Sequence, residues 1–333
     1  MLKIFKSQHA SIVFVIPLLS VLVWGRTFWF PNETYVPLPV QMPAYQLLLS
    51  FIPNMLSSQI LAWLLVTLQA FYLLYINVVY NFISQRTYLA SLFFIFISSA
   101  FINLHYLHPA IVANIFILRM IVELLSSYKK TKIYKSTFLS GFLIGVAGLF
   151  YVNSIWLMLF IFIGIAVMHP FNWREWAVSI LGFVVPNLWV AFFYFYTNHL
   201  NQYIDIYFET ISHESEKLLF PIPYYIFTAY LLILGIWAVL KLSSTYSNKK
   251  ISTRNYFTLF SVMFFMLVIA YFVVPFISIE VLTIMATPLS FLLANLYLSK
   301  GNKWVQEISF VLFLIAFTSF YWFHLVDFNF FSF

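Results

Sequence analysis

The chain has 333 residues, 63% hydrophobic and 8% charged, with a mean hydropathy of +0.94 and a formal net charge of +7. A soluble domain carries roughly a quarter of its residues as charges, so water is not the main solvent here, and a membrane barrel is excluded because its strands would alternate apolar and polar residues. The absence of cysteine rules out disulfides, thiolate catalysis and cysteine-ligated metals.

Apolar stretches long enough to cross a hydrocarbon core of about 30 Å recur from end to end. They predict an all-α, polytopic membrane bundle of about eleven transmembrane helices, a single transmembrane domain over residues 1–333. In chain order the spans fall near 10–28, 56–78, 87–103, 109–126, 137–152, 154–168, 176–197, 223–241, 256–275, 279–298 and 304–325. The first follows Lys3 and Lys6 as a signal peptide would. No small-x-small cleavage site comes after it, and Trp24 to Trp29 reads as an interfacial belt, so it is expected to be retained.

With the N-terminus inside, the inside loops hold Lys3, Lys6, Arg86, Lys129, Lys130, Lys132, Lys135, Arg174, Lys241, Lys249, Lys250, Arg254, Lys300 and Lys303, 14 of the 17 bases. Glu33, Asp205, Glu209, Glu214, Glu216, Glu280 and Asp327 fall outside. This asymmetry predicts an N-in, C-out topology, and it assigns the basic charge to orientation, not to a nucleic-acid partner.

Two outside segments hold most of the polar residues. In the loop 26–55, Pro31, Pro37, Pro39 and Pro43 keep the chain extended before Ala44 to Ile52, an apolar piece too short to cross a bilayer and expected to lie along its surface or dip into it. In 198–222, Tyr203, Ile204, Tyr207, Phe208 and Ile211 share one helical face, and Asp205, Glu209, His213 and Glu216 follow on another. That pattern predicts an interfacial amphipathic helix with an acidic stripe toward water.

Each candidate residue has a structural reading beside the functional one. Arg119 and Glu123, spaced i, i+4 in the fourth span, read as a neutralised pair with Arg119 snorkelling; a proton or ion pathway is the alternative. In the loop from His169, Asn172 and Glu175 fit a capping box, Trp173 and Trp176 mark the interface, and Arg174 obeys the charge rule. Gly141, Gly145 and Gly148 line one side of the fifth span and serve close helix packing. Pro186-Asn187 and Thr287-Pro288 are expected kinks whose polar side chains cover freed carbonyls. His105 and His108 form an H-x-x-H pair in a short outside turn, where they are expected to be water-exposed, and no metal site is assigned. Glu33, seven residues after Arg26 at the outer surface, could accept a proton from an acceptor hydroxyl while Arg26 holds a lipid phosphate. The structural reading of the two is an exposed loop acid and an interfacial base.

Two resemblances bear on function. Phe171-Asn172-Trp173-Arg174-Glu175-Trp176, with Arg86-Thr87-Tyr88 and Tyr128-Lys129-Lys130, resembles a family of polytopic bacterial inner-membrane proteins of unknown function, over nearly the whole chain. Some members carry an automatic label as carotene-cleaving oxygenases, which the histidines of this chain do not support. The span number, the acid soon after the first span and the surface helix are similar in arrangement to membrane glycosyltransferases that use polyprenyl-phosphate-linked sugars. That resemblance implies a catalytic role for Glu33, as base or metal ligand; such enzymes often carry an acidic pair in this loop, and here there is one Glu.

The leading expectation is therefore a bacterial inner-membrane transferase working at the periplasmic face on a polyprenyl-phosphate-linked sugar, in contact with membrane lipids. Glu33 would be the base, Arg26 the phosphate holder, and Asp205, Glu209 and His213 binders of sugar hydroxyls; the cofactor is left open, a divalent metal being allowed by the chemistry but not indicated by any motif. A glycan polymerase or ligase would shift the site to His199, His213, Glu214 and Glu216. A non-enzymatic subunit of an envelope assembly is the second class, and a transporter, for which no internal repeat is visible, the third.

Overall fold

The computed structural model describes residues 14–29, 41–83, 87–212, 222–274, 277–299 and 302–323. Among these the chain is helical, with thirteen α-helices and no strand. They are α1 (Val15–Trp29), α2 (Pro43–Ser50), α3 (Met55–Tyr80), α4 (Leu89–Ser98), α5 (Pro109–Ser126), α6 (Tyr134–Phe150), α7 (Leu157–Met168), α8 (Trp173–Tyr196), α9 (Leu200–Ser212), α10 (Ile222–Thr245), α11 (Ile251–Val273), α12 (Val281–Leu298) and α13 (Lys303–Phe323). Seven of them, α3, α5, α8, α10, α11, α12 and α13, are long and apolar enough to cross a membrane, and α1, α4, α6 and α7 are shorter apolar helices.

The breaks between helices are chemically specified. Pro109 opens α5, where its missing N–H costs nothing. Asn81 closes α3 in the left-handed region (φ 46°), a conformation that asparagine tolerates. The turn that follows is pinned by Asn77, whose amide donates to the Thr87 carbonyl (3.1 Å) and accepts from the Ile83 N–H (3.2 Å). Phe82 is thereby driven inward against Tyr256, Phe257, Phe260 and Phe291.

At the centre stands α12, in which every residue from Val281 to Tyr297 is buried. It packs against α4, α5, α10, α11 and α13. Water-driven burial does not hold helices together inside lipid, so contact and interhelical hydrogen bonds must, at roughly 0.6 kcal/mol for an average bond. One such set crosses the core: Asn114 of α5 donates to Gln69 of α3 (2.8 Å) and meets the Thr287 hydroxyl of α12 at 3.3 Å. Thr287 thus faces Asn114, and at Pro186 the Asn187 amide donates to the Phe183 carbonyl (2.9 Å), next to the Gly182 carbonyl that the proline deprives of its helical donor.

At the periphery α8 buries only Glu175, Ser179, Gly182 and Pro186, a single stripe at helical spacing that lies on α6. The approach is close enough that a β-carbon on Gly141 would fall 1.9 Å from the Ser179 carbonyl oxygen, and one on Gly145 2.5 Å from that of Phe183. Gly148 has room, its nearest neighbour being a side-chain atom of Ile155 at 3.6 Å. Two of the three expected packing glycines therefore set the helix separation, joined by Gly182 against the Phe138 carbonyl (2.2 Å).

The two helices too short to span are docked onto the bundle. In α2, Tyr45 is buried and its hydroxyl donates to the Leu107 carbonyl, so the helix is tied to the bundle and not merely laid on a membrane surface. The face that α9 buries is Tyr203 and Ile206 with Tyr207 half-buried, while Ile204, Phe208 and Ile211 are exposed. The expected apolar face is corrected by about one position, because Tyr207 turns toward Asn187 of α8 (2.9 Å). Met42, just before α2, Val152, just after α6, and Ile206 of α9 form a small cluster.

Candidate functional site

The bundle end that carries the starts of α3, α5 and α12 contains a buried polar cluster, assembled from three breaks in the chain. Glu280 lies one residue before α12, Tyr106 and His108 lie in the turn before α5, and Tyr151 and Asn153 follow α6. The Tyr106 hydroxyl donates to Glu280 Oε1 (3.3 Å), while Glu280 Oε2 has no hydrogen-bond partner. Glu280 as a whole is 4% exposed. Burial pushes it up to about 7, with the Tyr106 bond opposing, so near neutrality it is poised between acid and base. Tyr151 is pushed above the ordinary phenol range by burial and then by the charge of Glu280.

His108 faces the Thr283 hydroxyl at 3.3 Å through Nε2, and its Nδ1 is buried without a partner. Burial, then the neighbouring His105, lowers it to about 3, so it is neutral. His105 is fixed otherwise. Its Nε2 lies 2.9 Å from the Ser99 carbonyl, which can only accept, so Nε2 carries the proton and Nδ1 accepts from Thr27 (2.6 Å). Its ring stacks on Trp24 at 4.2 Å, and Trp24 donates to Ser99 (2.9 Å). The expectation of water-exposed histidines is thus corrected: His105 and His108 are 2% and 0% exposed. The turn is folded back under α1 and α12, which supply hydroxyl partners that sequence distance concealed.

The residues singled out in the sequence are only partly gathered here. Glu33, His213, Glu214 and Glu216 lie outside the described residues. Arg26, in the last turn of α1, lies near Tyr321 of α13. Asp205 and Glu209 are exposed on α9, as is His199 before it. Arg119 and Glu123 do form the i, i+4 ion pair, at 2.5 Å. Asn172 caps α8 through the Arg174 N–H (3.2 Å), with Trp173 and Arg174 exposed. The capping box itself is corrected: Glu175 is buried and turns to His169 Nδ1 (3.3 Å), and Trp176 stacks on Phe162. Among the described residues no group of three or more His, Cys, Asp or Glu could hold a metal ion. Glu280 was noted in the sequence only as an outside acid. The signal that could have found it is Glu280, Thr283 and Thr287, a polar stripe at i, i+3 and i+7 at the start of a largely apolar helix.

At the opposite end, Lys249 donates to Asn295 of α12 (2.7 Å) and sits over the Phe257 ring (4.6 Å). Burial lowers its pKa.

Fold and site together define a multi-pass helical membrane protein with a buried, partly unpartnered acid at one end of its bundle. The chain belongs to a family of unknown function (DUF6427), whose family model matches residues 32–329. No curated protein and no solved structure matches it.

Proposed function

We propose that the protein is a bacterial inner-membrane transferase with eleven crossings and its N-terminus inside, acting at the outer face on a lipid-linked sugar. The observation that supports an enzyme is Glu280, a carboxyl with one oxygen held by Tyr106, the other unpartnered, and a pKa near 7. Such a group suits general-base work at neutral pH. In the reaction, Glu280 takes the proton of an acceptor hydroxyl as that oxygen bonds to the anomeric carbon. The bond from that carbon to the phosphate oxygen breaks, and the polyprenyl phosphate leaves with its electrons. The choice of substrate rests on the resemblance in arrangement carried by the Glu33 loop, in which Arg26 would hold the donor phosphate.

The test is mass spectrometry of polyprenyl-linked glycans from a deletion strain complemented with wild type, Glu280→Gln or Glu33→Gln at equal protein level. A precursor that accumulates in the deletion, is cleared by wild type and persists with Glu280→Gln is the expected result. Clearance by Glu280→Gln but not by Glu33→Gln would move the base to Glu33. Identical profiles in all strains would defeat the enzyme reading and favour a membrane subunit, for which α8 offers exposed Trp189, Phe192, Phe193 and Tyr196.

A further inference from the structure

Arg119 is the eleventh of the eighteen residues of α5, about 10 Å along the axis from Ser126. Its side chain is 47% exposed, against 12% for Glu123. The surface around it faces outward from the bundle. Tyr72 and Tyr75 of α3 stack beside the pair (5.6 Å), and Leu68 and Val79 continue the same stripe of α3, 55% and 49% exposed. A guanidinium has five N–H donors; Glu123 takes one and Tyr72 is a second hydrogen-bond partner, which leaves the remaining donors on the exposed side of the group. Donors turned toward hydrocarbon are costly, so charged groups in spans normally meet another polar surface.

We propose that this patch is where two copies of the chain meet, about a two-fold axis along the membrane normal, with Arg119 of each copy against the partner's Glu123. The patch is self-complementary, as a two-fold interface requires: an acid and a base one turn apart on one face. An axis along the normal keeps both copies at one depth. Arg119 already reaches down to the level of Glu123, so four charges come together in a plane with alternating signs. A lipid phosphate is disfavoured at this spot, because it would meet the Glu123 carboxylate 2.5 Å from the guanidinium on a patch with no excess positive charge. Leu68, Tyr75 and Val79 would supply the apolar contact around the charges.

The chain has no cysteine, so single cysteines report unambiguously. Val79→Cys in the otherwise unaltered protein, oxidised in its own membrane, should give a cross-linked dimer, and Ile233→Cys, 64% exposed on α10, should not. In the Val79→Cys background, Arg119→Glu alone and Glu123→Arg alone should each lower the cross-link at least fivefold by like-charge repulsion. Co-expressed with different tags, those two should recover it as mixed dimers only. Where a reversal variant does not accumulate, Arg119→Gln replaces it, with the same expected loss. Absence of the Val79→Cys dimer, a cross-link indifferent to Arg119, or failure of the two reversal variants to pair would each overturn the proposal. So would native mass spectrometry of the wild type from lipid nanodiscs showing a monomer that retains an anionic phospholipid and loses it on Arg119→Gln.

Discussion

Glu280→Gln and His108→Gln should tilt the pH dependence of stability in opposite directions. Glu280 is raised from 4.5 to about 7 in the folded protein, so folding favours its protonated form. The stability it supplies is full below about 4.5 and lost as pH rises through about 7. His108 is lowered from 6.5 to about 3, so folding favours its neutral form. Its contribution is full above about 6.5 and lost as pH falls toward about 3. At about 1.4 kcal/mol per pH unit of proton imbalance, each term changes by roughly 2 kcal/mol between about pH 5 and about pH 7, with opposite sign. In the wild type they nearly cancel. Relative to wild type, Glu280→Gln should lose roughly 2 kcal/mol on going from about pH 7 to about pH 5, with His108 left uncompensated. His108→Gln should lose a similar amount on going the other way, and the double variant should run parallel to the wild type. Thermal unfolding in detergent, followed by tryptophan fluorescence at several pH values, reads the differences, and all other titrating groups drop out of the comparison. Parallel curves for wild type and Glu280→Gln would refute the raised carboxyl pKa and, with it, the case for Glu280 as a base.

Two packing predictions follow from the periphery of the bundle. Gly141→Ala should force α6 and α8 apart, since the new β-carbon would lie 1.9 Å from the Ser179 oxygen; overpacking of this kind costs about 1–3 kcal/mol. Gly148→Ala meets nothing closer than 3.6 Å and should be neutral or gain about 0.5–1 kcal/mol from the better helix former. The same unfolding assay separates the two, and equal behaviour would refute the glycine-mediated contact. Asn172→Ala should cost about 1 kcal/mol through loss of the α8 cap, and Asn172→Asp should restore it. Failure of Asn172→Asp to recover the loss would show that the side-chain acceptor is not what matters there.

The bounds of α5 were legible because their causes are local, whereas others moved by up to five residues, α11 beginning at Ile251 and not near 256. Pro109 permits a helix to begin, and runs of apolar residues must be helical where lipid cannot satisfy a backbone. The i, i+4 partnership of Arg119 and Glu123, the cap at Asn172 and the close contacts of Gly141 and Gly145 were legible for the same reason: each depends on helical spacing or on a neighbour one turn away.

What no local pattern carried is which helix is inside. Both α12 and α8 are apolar enough to span a membrane, yet one is buried along its length and the other along a single stripe. Composition cannot separate them, since a helix interior to the bundle and a helix facing lipid tails are bathed in equally apolar surroundings. Only the packing of five helices around α12 placed Glu280 out of reach of water and raised its pKa. Packing likewise carried His105 and His108 from an apparent surface turn to buried positions beside Thr27 and Thr283, 78 and 175 residues away in the chain. The sequence by itself determined a helical membrane chain and roughly where its apolar helices lie, because those follow from each residue's own chemistry. The tertiary structure alone decided which polar residues lose their water, because that depends on what lies beside them across the bundle.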